Sequence, residues 1–342
     1  MPRETLAREI RMVESLGVKI ETGKVLGKDF TVHSLKDEGY VAVFVAIGAP
    51  DGIRVEMPGC DAIGVADAMA FLREYNIRGS VPVGKEVVVI GGGNAAIDAA
   101  RTAVRLGAES VTVLYRRTRE EMPAYAEEIE EALQEGVKIE ALTAPEEIAV
   151  VIGKVSGVKC RHMHLGEFDR SGRRHPEADE KDCFTVNADQ VIMAVGQTLD
   201  GTVFGEAFNL DSRGWIQADP VTGKTSAEGV FAGGDSVTGP MSVVHAIADG
   251  ERAAVGIDQL LSGENHAFWR VEQANTTDYD PDADPVPYPR EKLRMMPVDK
   301  RRSNFDEVEQ SWNEAEAVRQ ARRCLRCDYG KCTVCEKESD NA

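Results

Sequence analysis

Positive charge is scarce in this sequence. Its 342 residues carry 40 Lys and Arg against 58 Asp and Glu, a formal net charge of -18. Nucleic-acid binding needs Lys and Arg gathered on a basic surface, so this balance argues against it. Docking on anionic lipid is excluded on the same ground. Long hydrophobic runs are absent as well: none approaches the ~18 residues of a membrane-spanning helix. The start, Met1-Pro2-Arg3-Glu4-Thr5, lacks the apolar stretch of a secretory signal. The expected location is therefore the cytoplasm. Cysteine is sparse through most of the chain, where Cys60, Cys160 and Cys183 stand alone. The other four, Cys324, Cys327, Cys332 and Cys335, crowd into the C-terminal end. In a reducing compartment such a cluster points to a metal or redox centre rather than to structural disulfides.

What is present is an ordinary globular composition, with 42% hydrophobic residues. At roughly 100–200 residues per domain, the length predicts two or three domains. The chain opens with a helix over Glu4–Leu16 and a strand over Val18–Glu21. The run Tyr40–Ile47, rich in β-branched residues and stopped by Gly48, reads as a buried strand. A helix is expected over Asp67–Asn76. Lys85–Ile90 is a strand, Gly91-Gly92-Gly93 a turn, Asn94–Leu106 a helix and Ser110–Tyr115 a second strand. That is a β-α-β unit, which implies parallel strands and a right-handed crossover. A helix (Tyr125–Glu135) and a strand (Val137–Ala141) follow. Residues 155–195 read as a β-meander, with Gly166–Arg174 as its polar hairpin and Gln190–Val195 as its last strand. A short strand over Gly229–Ala232 leads to Gly233-Gly234-Asp235 and a helix over Val243–Leu261. The proline-rich stretch Tyr279–Pro289 is an extended linker, since proline lacks the N–H and restricts its predecessor. A charged helix over Glu307–Arg322 then delivers the cysteine cluster.

Two turns carry chemistry. Gly91-x-Gly93-x-x-Ala96 lies between a strand and a helix, as a dinucleotide fingerprint requires. The first Gly permits the tight turn, the second lets backbone approach a pyrophosphate, and the small third residue allows close helix–strand packing. The helix N-terminus then offers free N–H groups to phosphate. An NAD site places an acidic residue near the end of the second strand. Here Tyr115-Arg116-Arg117 stands instead, and guanidinium groups suit a 2′-phosphate. The motif reads as a site for NADP(H), the alternative being a solvated basic turn. The second turn is Thr225-x-x-x-Gly229-Val230-Phe231-Ala232-x-Gly234-Asp235. It has the form of a strand ending under a flavin, with Gly allowing close approach and Asp bonding a ribityl hydroxyl. The following helix, from Met241-Ser242-Val243-Val244, would point its positive end at the flavin.

These residues, with Val45-Ala46-Ile47-Gly48-Ala49, Glu120-Glu121-Met122-Pro123-Ala124 and Ala194-Val195-Gly196-Gln197, resemble the small subunit of NADPH-dependent glutamate synthase and its relatives. That group belongs to the two-dinucleotide-binding, pyridine nucleotide-disulfide oxidoreductase superfamily. The resemblance runs to about residue 330. It implies a doubly wound α/β flavoprotein, Rossmann-like, with NADPH on the middle piece and FAD across the first and third. It implies that Gly91, Gly93, Asn94 and Ala95 meet the pyrophosphate and that Arg116 and Arg117 meet the 2′-phosphate. Gly48 and Ala49 lie where the chain crosses between the nucleotide domains, and Gly196 and Gln197 at the exit from the NADPH domain. Gly234 and Asp235 contact FAD, with Met241, Ser242, Val243 and Val244 near its ring. The expected domains are residues 1–80 and 198–264 for the two halves of the FAD domain, 81–197 for NADP(H), 265–322 for a linker and helix, and 323–342 for the cysteine-rich tail. One departure stands out. The relatives begin with an FAD fingerprint and a cysteine domain, and neither precedes Arg3. The expectation is a truncated product or a separate chain that supplies the missing fingerprint.

Cys324-x-x-Cys327 and Cys332-x-x-Cys335 give four thiolates, which suit an iron–sulfur cluster or tetrahedral zinc. Beside a flavin, a [4Fe-4S] cluster makes chemical sense, because flavin collects a hydride and a cluster passes single electrons. Zinc and a dithiol pair remain open. The resulting expectation is an NADPH-dependent oxidoreductase module that exports electrons to a partner subunit. A non-catalytic relay or scaffold subunit of a larger complex, and a glutamate synthase small subunit proper, are the alternatives.

Overall fold

The computed structural model describes residues 3–168, 174–266 and 289–323, with only the backbone of Glu180 and Lys181. These residues form two units. The larger comprises Ala7–His266 and Val298–Phe305; the smaller takes in residues 3–6, 289–297 and 306–323. In chain order come helices α1 (Arg3–Ser15) and α2 (Val32–Asp37), strands β1 (Val43–Val45), β2 (Asp51–Gly52) and β3 (Val65–Asp67), and helix α3 (Ala68–Arg78). Next are β4 (Glu86–Ile90), α4 (Asn94–Arg105), β5 (Ser110–Tyr115), α5 (Ala126–Gln134) and β6 (Lys138–Ala141). Strands β7 (Thr143–Val151), β8 (Lys154–Phe168), β9 (Arg174–Val186), β10 (Gln190–Met193) and β11 (Gln197–Thr198) follow. Then come β12 (Val230–Ala232), α6 (Asp235–Thr238) and α7 (Val243–Ser262).

Five strands pair in parallel in the order β3-β10-β4-β5-β6. They are continuous apolar runs because both faces of a parallel sheet are covered. Period-two alternation divides β4 between the two sides. Val87 and Val89 pack with Ile97 and Ala100 of α4, Phe71 of α3 and Ile129 of α5. Val88 and Ile90 face the other way, onto Ile148 of β7 and Val155 and Val158 of β8. The parallel sheet thus lies between a helical layer and the antiparallel sheet β7-β8-β9. A separate core joins Val45, Phe204, Trp215, Ile216 and Val230 around the parallel pair β1–β12. Strands β2 and β11 pair antiparallel beside it. In the smaller unit β13 (Arg294–Met295) pairs antiparallel with β14 (Glu309–Gln310), and helix α9 (Glu314–Ala321) carries an Asn313–Glu316 capping box. Helix α8 (Val298–Arg301) belongs to the larger unit.

Several expected elements differ. Val18–Glu21 forms no strand; Val18 and Ile20 are about half exposed, and no strand pairs with them among the described residues. Of Tyr40–Ile47 only Val43–Val45 pairs, and Tyr40 and Val41 lie exposed ahead of it. The meander starts at Thr143, not at 155. Pro145 and Glu146-Glu147 mask its first strand, which tolerates them because β7 is an edge strand with a register shift at Pro145/Glu147. Its expected last strand leaves it: Gln190–Met193 sits between β3 and β4. The helix expected over Glu307–Arg322 starts only at Glu314, after β14 and the Asn313 cap.

The larger unit is locked by a buried charge network at the C-terminal ends of α4 and α5. Glu135 is fully buried and takes Arg101 Nη2 at 2.8 Å and Arg105 Nη2 at 3.0 Å. Arg301, itself 1% exposed, places Nε 3.3 Å from the same carboxylate and donates from Nη2 to Gln134 Oε1 at 2.8 Å. Its carbonyl accepts from Arg105 Nε, and Phe305 stacks on Tyr75 with centroids 4.3 Å apart. Removing one partner of a buried ion pair leaves charge uncompensated, at a cost of about 3–5 kcal/mol. Glu135→Gln, facing three guanidinium groups, is expected to lose that amount in urea denaturation. A loss below about 1 kcal/mol, the scale of a surface pair, would contradict this account.

Candidate functional site

The order of the parallel sheet reverses between β4 and β10. From β4 the chain moves outward through β5 to β6, while β10 and β3 lie on the other side. In open α/β sheets ligands bind outside the carboxyl ends of the strands at such a point. Gly91 follows β4 there and Ala194 follows β10. Gly91 has φ +142°, and a Cβ on it would stand 2.1 Å from the Ala194 carbonyl oxygen, so no side chain fits. Gly93 caps α4 without a side-chain hydrogen bond. The N–H groups of Asn94 and Ala95 have no acceptor among the described residues. A helix amino terminus left open in this way is a site for phosphate. Ala96 is fully buried, the close helix–strand packing that the fingerprint anticipates.

The two expected arginines part ways. Arg116, just past β5, is exposed and makes no hydrogen bond or ion pair among the described residues. Arg117 is 8% exposed and donates from Nε to the carbonyl oxygen of Arg174 at 3.1 Å. Its own carbonyl accepts from Leu142 N–H. Beyond the end of β5 at Tyr115 the strand alternation no longer holds, and Arg117 turns onto β9 of the antiparallel sheet, so Arg116 is the cation available to a ligand. Asn94 also differs from expectation in its side chain, whose Oδ1 accepts from Tyr125 N–H at 3.0 Å. Its backbone N–H and its side-chain Nδ2 remain as donors for a phosphate.

The Gly-Asp turn follows β12. Gly234 has φ +67° and donates its N–H to the buried Asp249 Oδ2 at 2.8 Å; Arg252 pairs with the same carboxylate. Asp235 Oδ1 accepts from Met241 N–H at 3.0 Å. Its second oxygen has no partner among the described residues, which suits a ligand hydroxyl. Ser242 caps α7, accepting from His245 N–H. Met241, Val243 and Val244 are all more than half exposed, an apolar surface beside that carboxylate. Gly48, with φ +73°, turns the chain after β1, and Ala49 is buried in the β1–β12 core. Gly196 accepts from Ile53 N–H, and Gln197 begins the β2–β11 pair and donates to Met69 Sδ at 3.0 Å. Beyond β10, a crevice of about 370 Å³ opens between Asp51, Ile53, Asp67, Arg73 and Met193. Sequence reasoning missed Asp249 and Tyr115 as supports of these turns, because neither carries a local motif. Cys324, Cys327, Cys332 and Cys335 lie outside the described residues.

The sequence profile of the pyridine nucleotide-disulphide oxidoreductases matches residues 4–250. The beta subunit of NADP(+)-dependent formate dehydrogenase from Moorella thermoacetica is 40% identical over 340 residues, covering 96% of this chain and 48% of that protein. The beta subunit of NADPH-Fe(3+) oxidoreductase from Geobacter sulfurreducens is 36% identical, covering 95% of this chain and 54% of that one. The chain therefore spans about half the length of these relatives. A variant of FprA from Mycobacterium tuberculosis superposes with a TM-score of 0.60 at 22% identity, over 70% of this chain and 68% of that one, and shares the fold.

The three scattered cysteines differ in exposure: Cys60 is half-buried, Cys160 buried and Cys183 exposed. Burial, with a smaller contribution from the nearby Glu146, pushes the Cys160 thiol up to about 12. The thiolate is the reactive form, and burial keeps Cys160 a thiol at ordinary pH. Iodoacetamide on the native chain is expected to label Cys183 and spare Cys160 through pH 9, read by peptide mass spectrometry. Equal labelling of the two would contradict this environment.

Proposed function

The chain belongs to the pyridine nucleotide-disulphide oxidoreductase family, and from that premise we propose that it moves electrons from NADPH through FAD to a partner subunit. One observation carries the reading: the open amino terminus of α4 and the unpaired Arg116 stand together at the carboxyl end of the sheet. The first matches a pyrophosphate, the second a 2′-phosphate. When bound, NADPH supplies a hydride and FAD accepts it and releases single electrons. The protein supplies binding, orientation and exclusion of water. Asn94 and Ala95 would hold the pyrophosphate through backbone N–H groups, over Gly91 and Gly93. The unpaired oxygen of Asp235 would accept a ribityl hydroxyl. Met241, Val243 and Val244 would cover the flavin ring, and the amino terminus of α7 would favour negative charge beside it.

A partner is supported by the names of the two relatives, both beta subunits. It is supported too by the β1–β12 pair. Among the described residues β1 has a strand on one edge alone, and Tyr40, Val41 and Phe44 are exposed around it. Parallel pairs are normally buried within larger sheets. A further strand, carrying the FAD fingerprint, would complete this one, whether from a preceding part of the same polypeptide or from another chain. The tail cysteines Cys324, Cys327, Cys332 and Cys335 are assigned a [4Fe-4S] cluster on their spacing, with zinc the alternative. Among the described residues Cys60, Cys160 and Cys183 are free thiols, which suits the cytoplasm.

Arg116→Ala is expected to weaken NADPH binding by about tenfold or more, the scale of one charged hydrogen-bonded contact, and to leave NADH within twofold. Arg117→Ala is expected to lower thermal stability instead. Equal loss of both nucleotides in Arg116→Ala would overturn the 2′-phosphate assignment. Metal and sulfide analysis of anaerobically purified protein is expected to give about four iron and four sulfide per chain; one zinc would replace the cluster assignment. NADPH oxidation with an artificial acceptor separates a catalytic module from a relay subunit. Turnover by the FAD-loaded complex is expected, and its absence would favour the relay.

A further inference from the structure

We propose that Tyr115 and Asn94 are positioning residues of the nucleotide site. Together they clamp residues 116–125 against the glycine loop, as a fixed wall that presents Arg116 at one place. The proposal rests on the NADPH reading above.

Four contacts make the clamp. The Tyr115 ring packs against Gly92, where a Cβ would stand 2.4 Å from the ring, so the tyrosine leaves no room for a side chain at this position. The Tyr115 hydroxyl donates to the carbonyl oxygen of Glu121 at 2.9 Å. Asn94 Oδ1 accepts from Tyr125 N–H at 3.0 Å, and the carbonyl of Gly92 accepts from Ala124 N–H at 3.2 Å. The wall is stiff in itself. Residues 119–121 form a single 3-10 turn, closed by the Thr118–Glu121 capping box. Met122 and Ala124 are buried with Tyr115 in the main core. Arg119 is drawn aside to Glu130 at 3.0 Å.

Arg116 is the first residue of this wall and the one side chain at its start left without a partner among the described residues. Its backbone is fixed by Tyr115 on one side and the buried Arg117 on the other. A flexible arginine on a mobile loop would lose side-chain and backbone entropy on binding phosphate; one on a clamped loop loses less. The clamp therefore raises affinity for the nucleotide with the 2′-phosphate and hardly touches the one without it. Asn94 acts through its side chain, so Asn94→Ala keeps the backbone N–H that faces the pyrophosphate.

The test measures dissociation constants of NADPH and NADH, by nucleotide fluorescence, for the wild-type chain, Tyr115→Phe, Asn94→Ala and the double variant. Hydrogen–deuterium exchange of the 116–125 peptide is followed on the same samples without nucleotide. Each single variant is expected to speed exchange in that peptide. Each is expected to lower NADPH-over-NADH discrimination by about two- to tenfold, the scale of one hydrogen bond, and the double variant further. Unchanged exchange in both single variants overturns the clamp. Faster exchange with parallel loss of both nucleotides overturns the positioning role and leaves structural supports. A wild-type chain without NADPH preference overturns the reading beneath, which the exchange data do not depend on.

Discussion

The approach of Gly91 to the carbonyl of Ala194 sets the geometry on which the nucleotide end of the molecule depends. Strand β10 reaches its place between β3 and β4 only because the turn after β4 carries no side chain at that point. Helix α4 begins directly after that turn, with Gly93 as its cap. Once β10 is wedged there, the residues that follow it, Gly196 and Gln197, stand beside the turn and lead back through the β2–β11 pair toward the β1–β12 core. One backbone contact thereby lies between the turn before α4 and the segment that leads to the β2–β11 pair.

Charge is arranged around this contact with economy. The chain carries a net charge of -18, yet Arg116 stands exposed where β5 ends. Several other described arginines are committed. Arg101, Arg105 and Arg301 converge on the buried Glu135, and Arg117 is turned onto the antiparallel sheet. An acidic protein can hold a polyanionic cofactor because the local field at a helix terminus and one guanidinium outweighs screened charge farther away. The Gly233–Asp235 turn follows a similar design: Asp249 and Arg252 hold the backbone, and one Asp235 oxygen has no partner among the described residues.

Local patterns made much of this legible. β4, the glycine turn, α4 and β5 are read directly from a β-branched run, glycines and an amphipathic helix, because each is decided by residues close in sequence. The place of β10 was not legible, because its partners β3 and β4 are about a hundred residues away and no local rule names them. β7 was hidden by Pro145, which only an edge strand tolerates. The pair Arg116-Arg117 looked like one basic site, and only the sheet beneath β5 separates the exposed residue from the buried one. Tyr115 read as the last apolar residue of a strand; its hydroxyl contact to Glu121 depends on a turn whose path the sequence does not announce. The Val18–Glu21 stretch has strand composition and, among the described residues, no strand beside it, so composition alone misled there.

The central claim is that α4 and Arg116 form a site for a nucleotide bearing a 2′-phosphate. Calorimetric titration of the chain with adenosine 2′,5′-bisphosphate and with adenosine 5′-diphosphate tests it without flavin, nicotinamide or partner. The account predicts that the 2′-phosphorylated compound binds at least about tenfold more tightly, as one charge-assisted contact requires. Equal affinity for the two compounds, or tighter binding of the diphosphate, would contradict it.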